Sequence, residues 1–201
     1  LVALCVGIPL GCISAYNRGK WLDNLIIVFA TCGIAIPSFI SSVLLLYQFG
    51  MNMKVLPTVG LNSAAAYIMP VTALAIYPSA YITRLMRSSL LEVMQADYID
   101  TARAKGLRKQ AVILGHALKN SMLPVITMMA LQFSGMLSGA VITESIFAIP
   151  GIGRLATTAI QNRDMPVLQG TVLFTTVLVI AGNLIADLLY SVLDPRIRKE
   201  A

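Results

Sequence analysis

Residues Val167 to Leu193 read VLQGTVLFTTVLVIAGNLIADLLYSVL, and Asp187 is the single charged side chain in the run. A helix rises about 1.5 Å per residue, so this stretch can cross a hydrocarbon core of roughly 30 Å. Inside lipid every backbone amide must be satisfied, which leaves helix as the economical choice for one segment. The stretch decides the fold class: an all-α, polytopic integral membrane protein.

Four further apolar stretches precede it. They run from Leu1 to about Tyr16, from about Asn24 to Phe49 with Pro37 inside, from about Ala64 to Thr83 with Pro70 and Pro78, and from about Met122 to Phe147 with Pro124 near the start. Five visible transmembrane helices are therefore expected, some kinked where proline withholds an amide. Composition agrees, with 57% apolar and 12% charged residues in 201. A soluble domain carries about twice that charged fraction, and a disordered chain is poor in apolar residues. The chain opens on Leu1 inside an apolar run, with no basic stretch before it and no small-residue cleavage site after Ile13. It reads as the tail of a truncated membrane helix, with sequence expected upstream.

The formal charge of +6 is distributed unevenly. Arg18 and Lys20 lie in the connector 16–23. Arg84, Arg87, Arg103, Lys105, Arg108, Lys109 and Lys119 lie in the segment 84–121, and Arg196, Arg198 and Lys199 in the tail. The alternate connectors hold Lys54 on one segment and Arg154 and Arg163 on the other. The positive-inside rule places the first set, and the C-terminus with it, in the cytoplasm. Gly7 with Gly11, and Ser134, Gly135, Ser138 and Gly139, have the spacing that lets membrane helices approach closely.

Several chemistries are not expected. Cys5, Cys12 and Cys32 form no CxxC pair and read as small apolar residues, and His116 has no companions at metal-ligand spacing. No phosphate-binding GxxxxGK[ST] loop, GxSxG or HExxH occurs. The chain is therefore not expected to supply an ATP site or a metal site, and an integral-membrane hydrolase or redox enzyme is a remote reading. The basic residues on a membrane loop point to lipid phosphate or a protein surface and not to nucleic acid.

The segment 84–121 is too long for a simple connector. Ser89-Leu-Leu-Glu92 fits a capping box and so the start of a short helix. Asp97-Tyr98-Ile99-Asp100-Thr101-Ala102-Arg103-Ala104-Lys105-Gly106 reads as a second one. Its acids sit in the first turn and its bases in the last, as the helix dipole prefers, and Gly106 is placed to end it in a left-handed conformation. Tyr98, Ala102 and Gly106 share one face, shallow enough for another protein to approach.

These residues carry a resemblance. Asp100-Thr-Ala and Gly106 resemble the EAA-x3-G loop of the membrane subunits of ATP-binding-cassette (ABC) importers. Asp97 to Leu107, followed by His116-Ala-Leu-Lys-Asn120, is similar to the first permease subunit of dipeptide, oligopeptide, glutathione and nickel importers. Leu56-Pro-Thr-Val-Gly60, Glu144 to Arg154, Asn162 to Pro166, Asn183 to Asp187 and Asp194 to Arg198 resemble further stretches of the same subgroup.

The resemblance implies a type I ABC importer transmembrane domain over residues 1–201, lacking a first helix and an external segment, with residues 84–121 as its cytoplasmic coupling loop. Asp97 to Gly106 would dock on an ATPase. Partners would be a second permease subunit, two ATPases that carry ATP and magnesium, an external substrate-binding protein and the bacterial or archaeal plasma (inner) membrane. The cargo would be a di- or oligopeptide, with nickel or glutathione as the alternative. A secondary transporter or channel is the more remote reading. Gln132, Glu144, Asn183 and Asp187 fall within the membrane helices. Each would line a pathway or gate, or else serve packing through a hydrogen bond.

Overall fold

A computed structural model describes residues 1–104, 106, 108–137 and 140–193. The tail Asp194 to Arg198, Lys105, Ser138 and Gly139 lie outside the described residues, as do the side chains of Arg103, Ser134, Gly135 and Asp187. Ten α-helices carry the described chain, with no strand. They are α1 (Val2–Tyr16), α2 (Trp21–Ala35), α3 (Ser38–Leu45), α4 (Ile68–Val93), α5 (Asp97–Ala104), α6 (Lys109–Val112), α7 (Leu118–Leu137), α8 (Val141–Ile146), α9 (Ile152–Gln161) and α10 (Met165–Leu193). Two π-helical turns, Leu46–Asn52 and Ile113–Ala117, extend α3 and join α6 to α7.

Each expected span falls on helix, but not as five unbroken ones. Ala64–Val93 and Met165–Ala186 are long and apolar enough to cross a bilayer, and Trp21–Ala35 with Ser38–Asn52 makes a third if the broken pair is one span. The break falls at Pro37, whose extended backbone (ψ 144°) starts α3 afresh. Pro78 is instead accommodated inside α4. The fourth span also divides, because Ala140 stands outside helical geometry before α8. α10 begins on a side-chain cap: the Val167 amide donates to Asp164 Oδ1 at 3.1 Å. Pro166 is tolerated there because first-turn amides have no intrahelical acceptor.

The capping box expected at Ser89 does not start a helix. α4 runs through it to Val93. Ile82, Met86 and Leu90, spaced one turn apart, are all buried, and continuing that apolar stripe outweighs a local stop signal.

The chain divides into two compact units, with boundaries between α2 and α3, inside α4 and inside α7. The first unit comprises residues 1–35 and 78–129. Its core joins Ala15, Ile82, Met86, Leu90, Ile99, Ala102, Val112, Ala117 and Val125. The second comprises residues 36–77 and 130–201. Its core gathers Met69, Ala73 and Phe147, with Leu45, Phe49 and Leu56 packed against them. Hydroxyls within the helices bond back to carbonyls one turn earlier, as Thr176 does to Val172 O at 2.7 Å. No buried side-chain nitrogen or oxygen among the described residues lacks a partner.

Candidate functional site

The site begins with α5, eight residues from Asp97 to Ala104. Asp97 and Asp100 occupy its first turn, and Gly106 follows it at φ +78°. A Cβ at Gly106 would meet nothing within 4 Å, so glycine is favoured there by backbone geometry and not by space. Ile99 is fully buried and Ala102 nearly so, both in the core of the first unit. Asp97, Tyr98, Asp100, Thr101, Ala104 and Gly106 are exposed. Thr101 Oγ1 donates to Asp97 O at 3.2 Å. Asn120 Nδ2 donates to Tyr98 Oη at 2.8 Å, tying α5 to α7.

This corrects one expectation. Ala102 does not share an exposed face with Tyr98 and Gly106. It turns inward beside Ile99, and its small side chain lets α5 settle closely onto the unit's core. The signal was present in the spacing of Ile99 and Ala102, which places them on one face three residues apart.

A buried carboxylate, Asp23, lies in the same unit. Asp23 is 1% exposed. Arg87 Nε and Nη2 donate to its two oxygens, both at 2.8 Å. Ser14 Oγ donates to Oδ1 at 2.5 Å and the Gly19 amide to Oδ2 at 2.9 Å. Gly19 reaches this position at φ +77°. Asp23 lies in the first turn of α2. No local pattern signals this pair, because Asp23 and Arg87 are 64 residues apart.

The remaining candidates are dispersed. Glu144 lies in α8 of the second unit, half-buried. Its Oε2 accepts the Arg154 amide at 2.9 Å and its Oε1 the Ala140 amide at 3.2 Å. The carboxylate thus caps the first turn of α9, where helix polarity favours an anion. Gly151 packs directly on the carboxylate, leaving no room for a Cβ. The neighbouring turn is pinned by Ile149 N to Glu144 O at 2.8 Å, and the Gly60 amide reaches Phe147 O at 3.2 Å. Gln132 is half-buried on α7, and Asn183 is exposed on α10. Asp187 follows on α10, with its side chain outside the described residues. His116 is exposed in the π turn, and no cluster of metal-ligating side chains occurs among the described residues.

Comparison with known proteins gives a consistent result. Residues 7–199 match the family described as binding-protein-dependent transport system inner membrane component. The chain is 42% identical over 98% of its length to the dipeptide transport system permease protein DppB of Bacillus subtilis, of which it spans 64%. It is 40% identical over 98% of its length to the glutathione transport system permease protein GsiC of Escherichia coli K12, again spanning 64%. A putative peptide transport system permease protein of Brucella abortus is 38% identical over 98% of the chain and is spanned to 65%. Among solved structures, the MetNI methionine ABC transporter in an inward-facing conformation superposes with a TM-score of 0.71. The match covers 96% of this chain and 88% of that one at 16% identity, which is a likeness of fold.

Proposed function

The chain belongs to the family of binding-protein-dependent transport system inner membrane components, and from that premise we propose that it is the permease subunit of an ATP-driven importer of short peptides. The observation that carries the reading is α5. It is a short polar helix set between apolar ones, anchored by Ile99 and Ala102, exposed along Asp97, Tyr98, Asp100, Thr101 and Ala104, and ended by a left-handed Gly106. Such an element is seated from within and presents a rigid outer surface to a partner.

In this reading the segment around α5 and the C-terminus face the cytoplasm, on the side where the cations concentrate. The connectors 50–63 and 148–166 face outward. Two ATPases supply the nucleotide sites with ATP and magnesium, a second permease completes the pathway, and an external binding protein delivers cargo. This chain itself holds no cofactor and hydrolyses nothing. When the ATPases close, α5 moves with the groove that holds it and the attached helices exchange inward for outward access. ATP binding drives this through a difference in contacts between two states. Gln132, Asn183 and Asp187 are the candidates for lining the pathway, while Glu144 secures the outer turn.

Relatives named for dipeptide and glutathione transport support a short peptide as cargo. The test is uptake into liposomes holding the complete permease pair, both ATPases and the binding protein. Labelled dialanine and glutathione serve as probes. Uptake that requires hydrolysable ATP and the binding protein is expected. Uptake driven by an ion gradient without ATP would contradict the proposal.

A further inference from the structure

Resting on the importer reading, we infer that Asp23 and Arg87 are positioning residues that lock α1, α2, the second half of α4 and α5 into one moving body. The contacts form a continuous path within the first unit. α5 seats Ile99 and Ala102 in the core that holds Met86 and Leu90 of α4. α4 in turn presses on α1. A Cβ at Gly7 would lie 2.8 Å from Ser79 O, and one at Gly11 would lie 2.8 Å from Thr83 O and 2.6 Å from Met86 Cβ. Arg87, next to Met86, then reaches Asp23 of α2 by two bonds.

Apolar packing resists separation of helices, but it is non-directional and resists sliding poorly. A bidentate guanidinium–carboxylate fork fixes register and orientation together. Asp23 also holds Ser14 of α1 and the amide of Gly19 in the α1–α2 turn. One carboxylate thus fastens three helices and a turn. Its near-complete burial makes any slip costly, because a shifted fork would leave a charge without partners. Displacement of α5 is therefore delivered to α1 and α2 without being absorbed between helices.

The test uses the complete complex in liposomes and measures uptake and ATP hydrolysis on the same vesicles. The probe is labelled dialanine or glutathione, whichever the wild type imports. Asp23→Asn and Arg87→Lys are expected to retain assembly and ATP hydrolysis while uptake per ATP falls about tenfold, within the range of measured coupling energies. Ser14→Ala leaves the fork in place and should lower the ratio less. Should Asp23→Asn fail to accumulate, the other two variants decide. An unchanged ratio in assembled variants overturns the inference even if less complex forms, since a purely structural role changes amount and not ratio. A wild type without ATP-dependent uptake would instead overturn the importer reading.

Discussion

Arg87 and Asp23 meet as a fork, Nε to Oδ1 and Nη2 to Oδ2, each at 2.8 Å, with side-chain exposures of 27% and 2%. The two ends of the pair are unequal, and the inequality predicts which substitution costs more. Arg87→Met strands an ionised carboxylate in the interior and is expected to destabilise the protein by about 3 kcal/mol, as broken buried pairs do. Asp23→Asn leaves an amide able to keep the Ser14 bond, and an Arg87 able to turn toward water. It should cost less. Thermal unfolding of the detergent-solubilised subunit, followed by tryptophan fluorescence of Trp21, ranks the two. The reverse order would contradict the geometry.

Ile99 and Thr101 separate seating from surface on α5. Ile99 has no exposed area. Ile99→Ala should cost about 2–4 kcal/mol by cavity formation and reduce ATP-coupled uptake. Thr101→Ala removes an exposed hydroxyl and should leave stability within about 0.5 kcal/mol. Unfolding midpoints, read beside uptake per ATP, test the contrast. Equal destabilisation by both substitutions would mean that α5 is not anchored through Ile99.

Gly106 stands at φ +78° with open space around its Cα hydrogens. Gly106→Val should incur about 1–2 kcal/mol of backbone strain and re-aim the chain after α5, with no steric collision. Assembly with the ATPases should weaken, or substrate-stimulated ATP hydrolysis should be lost, while the subunit still inserts. Gly106→Asn, which tolerates left-handed geometry better, should recover much of the wild-type behaviour. Equal activity of wild type and the valine variant would remove Gly106 from the account.

Helix type and place were legible where the signal is local. The run Val167 to Leu193 and the acid-to-base order of Asp97 to Lys105 each declare a helix from their own residues. The cap signal at Ser89 is local and is overridden by the Ile82, Met86 and Leu90 stripe that carries α4 past it. The small size of Ala102 suits an exposed shallow face and a close approach to a core equally, and packing decides for the core. The Asp23–Arg87 fork could not be read at all. Its partners meet only after α1, α2 and α4 have packed, and no spacing rule links residues so far apart. From the sequence Glu144 suits either a gate or a packing role. The geometry gives its two oxygens to the amides of Ala140 and Arg154.

In the proposed importer, α5 is the element that an ATPase would engage. A photoreactive benzophenone amino acid placed at exposed Ala104, in the assembled complex, tests it most directly, with a matching substitution at exposed Val59 as the control. Illumination should yield an adduct between the permease and an ATPase subunit from position 104 and none from position 59. An ATPase adduct from position 59, or none from position 104 in a complex that hydrolyses ATP, would contradict the account.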